Sequence, residues 1–216
     1  MLISVQALQD KLSRAAKQSL DRTFGALYDK LYRDDILRHA WRLVRSNAGS
    51  PGIDGVTFEA IEQGEGVEGF LKGIAEELRE KCYRAQAVRR VMIPKGDGRE
   101  RPLGIPTIRD RVVQMAVKLV IEPIFEADLE PNAYGYRPKR SAQDAIRKVH
   151  QLLCAGYTDV VDADLSKYFD TIPHNELMKC VARRIVDRNV LRLIKLWLKA
   201  PVVDQDKDGR GRISGG

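Results

Sequence analysis

An α+β fold is predicted by three features of this 216-residue sequence. Apolar residues recur at helical spacing over most of its length. Two short β-branched stretches flank a Gly-Asp-Gly turn at 94–101, and a third lies at 160–165. These strands do not alternate regularly with helices, which argues against a doubly wound parallel sheet. Apolar residues make up 44% and charged residues 31%, so the chain can bury a core and does not read as disordered. Its length suits one domain or two close subdomains.

The elements follow in order. Residues 1–23 read as a weakly amphipathic helix with Val5, Leu8 and Leu12 on one face and a basic opposite face, loosely attached. From Tyr28 to Val44 the spacing of Leu31, Ile36, Leu37, Ala40, Trp41 and Val44 predicts one stronger helix. Residues 46–55 contain Gly49, Pro51, Gly52 and Gly55, which end the helix in an irregular loop that also lets another backbone approach. Thr57 is placed to cap a short helix, and a longer one runs from Val67 to Lys81. Val88–Pro94 and Arg101–Pro106 read as a hairpin, with Pro94 and Pro102 favouring an exposed ribbon because neither donates to a ladder. Thr107 with Asp110 has the spacing of a capping box before a largely buried helix reaching Phe125. Ser141 with Asp144 repeats that pattern before a helix to Ala155. Two further helices are predicted from Pro173 to Arg184 and from Asn189 to Leu198, followed by a polar, glycine-rich tail from Asp204.

The net charge of +7 favours a polyanionic partner but equally suits a soluble basic protein. The charge is concentrated: residues 84–111 hold eight arginines and lysines against three carboxylates. Such a ribbon can close over an anion or simply stand in water. The loop 131–140 interleaves Tyr134 and Tyr136 with Arg137, Lys139 and Arg140, which suits stacking on bases but also ordinary packing. Cys82, Cys154 and Cys180 are too far apart for a zinc or disulfide framework, in keeping with a reducing, cytoplasmic compartment. His39, His150 and His174 are isolated. Asp204–Gly209 begins like a calcium loop, but position twelve is Gly215 instead of a bidentate glutamate, so it reads as a solvated turn. No phosphate-binding Gly-x-x-x-x-Gly-Lys loop and no membrane-length apolar run is present.

The stretch Val160–Asp170 carries the densest chemistry. Read as a strand, it places Asp162 and Asp164 on one face, about 7 Å apart, and Val161, Ala163 and Leu165 on the other. Two such carboxylates need water, a basic partner or a cation. Tyr168, Phe169 and Asp170 follow at once.

Several blocks then fall in a fixed order: Ala48–Val56, Arg89–Lys95, the long run Arg101–Gln114, Glu122–Glu126, Tyr134–Pro138 and Val161–Ile172. Together they resemble the reverse transcriptases of bacterial group II introns, the intron-encoded maturases. The resemblance runs from about Tyr28 to the C-terminus, and the 101–114 block makes it specific to that lineage, within which CRISPR-linked and domesticated enzymes also fall.

The resemblance implies a right-hand polymerase: an N-terminal extension over residues 1–27, fingers over 28–155 and an incomplete palm over 156–216. It implies RNA-directed DNA polymerisation with magnesium, in intron splicing and mobility. Partners would be group II intron RNA, an RNA template, a DNA primer and deoxynucleoside triphosphates. Asp164 matches the first palm aspartate, a ligand of both magnesium ions, with the carbonyl of Leu165 beside it. Phe169 matches the aromatic that blocks a ribose 2′-hydroxyl. Lys95 and Arg101 match the cations that hold the triphosphate, and Arg89, Arg90, Arg109, Arg111 and Arg137 would meet nucleic acid. The family's later Tyr-x-Asp-Asp carboxylates do not occur in these 216 residues, so the chain alone is expected not to polymerise. A non-catalytic RNA-binding module is the competing reading.

Overall fold

The computed structural model describes residues 4–94, 96, 98–165, 168–205 and 211–214. At its centre is α6 (Ile108–Phe125), whose Val112, Val113, Ala116, Val120 and Ile124 are completely buried. A helix apolar on so much of its surface has to be covered by other helices. Three do so: α1 (Val5–Gln18), α2 (Tyr28–Leu31) and α3 (Asp34–Ser46). The pair α4 (Phe58–Gln63) and α5 (Gly66–Arg79) packs beside α3, where Trp41 meets Phe58 and Phe70 edge-on.

The first helix is firmly docked, contrary to the loose attachment expected. Leu8, Leu12 and Ala16 are buried, and Gln9 Nε2 donates to the carbonyl of Leu119 at 3.0 Å. That bond has a specific cause. Pro123 sits inside α6 and has no N–H to give the carbonyl four residues back. The orphan is Leu119, and Gln9 supplies the missing donor.

The helix expected from Tyr28 to Val44 is broken at Tyr32-Arg33. Arg33 is extended, and Asp34 and Asp35 open α3 where carboxylates favour the positive helix end. Thr57 caps α4 by accepting from Ala60 N–H, and Ser141 with Asp144 forms the full capping box of α7 (Ala142–Cys154). Thr107 Oγ1 accepts from Asp110 N–H at 3.1 Å, but no box closes there. The Asp110 carboxylate turns instead to Tyr83 and the backbone of Gln86.

The hairpin forms as β1 (Val88–Pro94) and β2 (Glu100–Ile105), antiparallel with Arg89 opposite Ile105 and Ile93 opposite Arg101. It is not a bare ribbon. The C-terminal segment supplies β3 (Val202–Gln205) and β4 (Gly211–Ser214), where only a polar, glycine-rich tail is expected, giving the sheet order β2-β1-β3-β4. Strand β3 lies parallel to the start of β1, over Val88–Arg90. Pro94 falls beyond that paired stretch, where its missing donor is not needed. The rest of the calcium-like loop, Asp206 to Arg210, lies outside the described residues.

Beyond α7 come α8 (Tyr168–Thr171), α9 (His174–Ala182) and α10 (Arg188–Leu198). Residues 158–165 form no strand. Alternation marks two faces, but a strand exists only when its edge is paired, and among the described residues nothing pairs with this one. The N-terminal segment closes onto the far end of the chain instead. Phe24 bridges Ile185, and Asp187 accepts from Leu27 and Tyr28 N–H, both at 2.9 Å. Asp187 also caps α10. One continuous apolar core therefore includes Leu8, Leu37, Val120 and Val190.

Replacing Gln9 with Ala is expected to cost about 1–2 kcal/mol, because it strands the Leu119 carbonyl. Urea unfolding should show the loss, and it should disappear in a Pro123→Ala background, where the helix supplies its own donor.

Candidate functional site

The ribbon and the loop before α4 are built against each other. Arg89 donates to the carbonyl of Pro51 through Nε (3.2 Å) and Nη2 (2.7 Å). Arg111 Nη2 donates to the carbonyl of Ser50 at 2.7 Å. Two guanidiniums thus clamp adjacent peptides of the 48–55 loop onto the joint between β2 and α6. Gly52 makes the approach possible: a Cβ there would lie 2.6 Å from Thr107 Cα and 2.7 Å from its nitrogen. At Gly49 a Cβ would meet the Arg111 guanidinium at 2.6 Å. The loop glycines and the Arg101–Gln114 block are therefore one structural unit. Sequence spacing hinted at close approach but did not say to what.

The same accounting holds for the other arginines read as nucleic-acid contacts. Arg109 pairs with Glu77, donates to the Arg84 carbonyl at 3.1 Å and lies 4.7 Å from the Tyr83 ring centre. Burial lowers its pKa, partly offset by the adjacent Asp110. Arg137 grips Glu126 with Nε and Nη2 and donates to the carbonyls of Glu130 and Ala133. Its side chain is only 6% exposed, so it holds the 131–140 loop shut. Arg90, in register with Asp204, pairs with that carboxylate at 3.3 Å. Only Arg101, on the far strand, is exposed and has no ion-pair partner among the described residues. Lys95 lies outside the described residues.

The Val160–Asp170 segment presents its chemistry to solvent. Asp162, Asp164 and Leu165 are all exposed, and nothing in their surroundings separates the two carboxylates. Among the described residues no three carboxylate, imidazole or thiol side chains gather around a point that could hold a metal ion. One carboxylate and a neighbouring carbonyl are the kind of hard oxygen donors magnesium takes, but they could hold it only together with substrate phosphate oxygens and water. Phe169, on α8, is better placed. It lies edge-on to Tyr136 at 6.1 Å and to Tyr168 at 5.3 Å. Tyr136 reaches it from the 131–140 loop with φ of +56°, a backbone conformation uncommon for a non-glycine residue. The aromatic–basic loop and the segment after Asp164 are thereby brought together, with all three rings half or more exposed.

The base of the ribbon is anchored by residues to which patterning gave no such role. Asp110 is 2% exposed, and its two oxygens accept from Tyr83 Oη (2.5 Å) and Gln86 N–H (2.9 Å). Trp197 Nε1 donates to Tyr83 Oη at 3.0 Å. A lone buried aspartate after a helix cap has no sequence signature apart from the cap itself.

Comparison with known proteins now bears on this geometry. Residues 93–215 match the family described as reverse transcriptase (RNA-dependent DNA polymerase). Since the match covers more than half of the chain, the chain belongs to that family. Its relatives include the protein YkfC of Escherichia coli K12, 39% identical over 93% of this chain and 54% of that protein. The group II intron-encoded protein LtrA of Lactococcus lactis subsp. cremoris is 32% identical over 90% of this chain and 32% of that protein. The chain thus spans about half and about a third of these two. A solved partial Cas6-RT-Cas1–Cas2 complex shares the fold, with a TM-score of 0.50 and 20% identity over 82% of this chain and 28% of that chain. The α+β reverse transcriptase fold and the group II intron lineage expected from the motifs are both upheld.

A pH dependence follows from the buried phenols. Burial, then the adjacent Asp110 carboxylate, raises the Tyr83 pKa, and burial likewise raises that of Tyr28, whose hydroxyl donates to the Leu78 carbonyl. An unfolded tyrosine ionises near pH 10. Stability from these groups is therefore full below about pH 10 and falls as pH rises beyond it. Thermal melts from pH 8 to 11 should show that fall, with a shallower slope for Tyr83→Phe.

Proposed function

We propose that this chain is the fingers and first palm segment of an RNA-directed DNA polymerase of the group II intron maturase kind, acting in the cytoplasm. Residues 28–155 serve as fingers and 156–216 as the beginning of the palm. The observation that carries the reading is the ribbon: an exposed Arg101 on β2, held at fixed height by Arg89 and Arg111 on the 48–55 loop. Arg101, together with Lys95, receives the triphosphate of a deoxynucleotide, as planar guanidinium and point-charge ammonium groups suit phosphate. Phe169, supported by Tyr136 and Tyr168, lies beside the sugar and rejects a 2′-hydroxyl by bulk. Asp164 and the Leu165 carbonyl would contribute part of a magnesium donor set, with the triphosphate oxygens beside them. Template RNA, primer and intron RNA lie along the basic surface of the fingers, held through phosphates and 2′-hydroxyls.

A second reading, a non-catalytic RNA-binding module, is favoured by one observation: among the described residues no group of three metal-ligating side chains gathers, while the basic ribbon and the 131–140 loop are folded. Primer extension and RNA binding separate the two. With magnesium and deoxynucleotides the 216-residue chain is expected to bind RNA and to extend no primer. Filter binding should show affinity falling linearly with salt on a log–log scale, by more than about tenfold between 50 and 200 mM. Asp164→Ala should leave RNA affinity within about twofold and abolish magnesium-dependent binding of a labelled deoxynucleotide, since only the latter needs that oxygen. Unchanged nucleotide binding in this variant would establish the binding module instead.

A further inference from the structure

Three segments leave the helical body as strands, and all three are rooted around one buried residue, Asp110. Strand β1 begins at Val88, two residues after Gln86, whose N–H is held by Asp110 Oδ2. Strand β2 ends at Ile105, and the chain then passes through Thr107, whose hydroxyl accepts from Asp110 N–H. Strand β3 begins at Val202, just beyond α10, where Trp197 ties into the same centre through Tyr83 Oη. The neighbouring Pro201 carbonyl accepts from Val88 N–H at 2.8 Å, joining the first and third roots directly. Tyr83 and Asp110 are each 2% exposed, so water does not compete for the bond between them.

We infer that Asp110, acting through Tyr83 and Trp197, is the positioning residue that sets the angle of the basic ribbon relative to the helical body. This rests on the reading of Arg101 as a triphosphate contact. The ribbon pivots about its roots, and any rotation of β1 or β2 away from the observed angle pulls on Gln86 N–H or on Thr107. Gln86 N–H is held by the Asp110 carboxylate, which is costly to leave unsatisfied, and Thr107 Oγ1 is held by the backbone N–H of the same residue. Arg101 lies four residues upstream of Ile105 along β2, about 13 Å by strand rise, so a small rotation at the root moves its guanidinium by several times more than the root itself. The Trp197 link makes the same angle depend on the seating of α10. A shift of that helix is thereby transmitted to the ribbon without any contact between α10 and Arg101. The network therefore governs how well the ribbon captures phosphate, beyond its contribution to stability.

The test is a double-mutant cycle on the full chain with a fluorescent deoxyadenosine triphosphate and magnesium. Tyr83→Phe removes only the hydroxyl that joins Asp110 to Trp197 and keeps the buried ring, so it is the primary variant; Asp110→Asn is the second. Tyr83→Phe is expected to weaken triphosphate binding by about tenfold, the scale of a displaced positioning contact. It should have no further effect once Arg101→Ala is present, and RNA affinity should stay within about twofold. Amide hydrogen exchange is the independent readout: residues 88–93 should exchange about tenfold faster in Tyr83→Phe, while α3 and α6 keep their protection. Equal weakening in the presence and absence of Arg101, or unchanged exchange at 88–93, would overturn the inference. If Arg101→Ala leaves triphosphate binding intact, the nucleotide reading fails; faster exchange at 88–93 then still upholds the rooted ribbon.

Discussion

Burial of α6 is the constraint from which the remaining architecture follows. An eighteen-residue helix with nine buried positions cannot face water. Each fully buried valine, leucine or isoleucine is worth about 1.5–3 kcal/mol. The covering helices α1, α2 and α3 are therefore obligatory, and both ends of α6 are fixed by hydrogen bonds. At the C-terminal end Gln9 satisfies the carbonyl that Pro123 leaves open. At the N-terminal end Thr107 and Asp110 fix where the sheet departs. The glycine loop and the ribbon both stand on that second end, so the surface read as functional inherits its geometry from an apolar helix.

How the arginines are used alters the picture of a basic fingers surface. A cluster of positive charge in sequence suggests a uniform electrostatic field. In the fold, Arg89 and Arg111 hold loop carbonyls, Arg109 and Arg137 hold carboxylates and carbonyls, and Arg90 holds Asp204. Guanidinium suits this because its several donors can bind two or three peptides at once. Arg101 alone among the site arginines remains wholly at the surface. The basic stretch is thus chiefly a scaffold that presents a small number of exposed cations at a fixed place.

Much of this was legible in the sequence where a local rule decides the structure. Thr57 and Ser141 cap helices because hydroxyl-to-N–H geometry depends on neighbouring residues only. The hairpin around Gly96 and Gly98 follows from turn chemistry. Motif order alone identified the family. Reading failed where distant partners decide. Strand β3 has only Val202 and Val203 as apolar signal and exists because β1 offers it an edge. Residues 158–165 have a clear alternating pattern but no partner edge, and so form no strand. The Tyr32-Arg33 break was concealed by apolar spacing that continued in phase across it. The candidate site divides along the same line: Phe169 and Arg101 were found by motif, whereas Tyr136 beside Phe169, and Asp110 below the ribbon, are visible only in three dimensions.

The latch between the two ends of the chain has a consequence for synthesis. Leu27 and Tyr28 N–H depend on Asp187, and the Ala16, Ser19 and Leu20 carbonyls accept from Arg184, some 160 residues later. On a ribosome adding about 5–20 residues per second, that delay is on the order of ten to thirty seconds. During it the segment after α1 has its polar backbone solvated and its phenylalanine unbridged. The segment 19–28 is made long before Arg184 and Asp187, yet is among the last to reach its final hydrogen-bonded state. A nascent chain paused before residue 184 therefore holds its helices around α6 with an open seam, and emergence of α9 and α10 closes it.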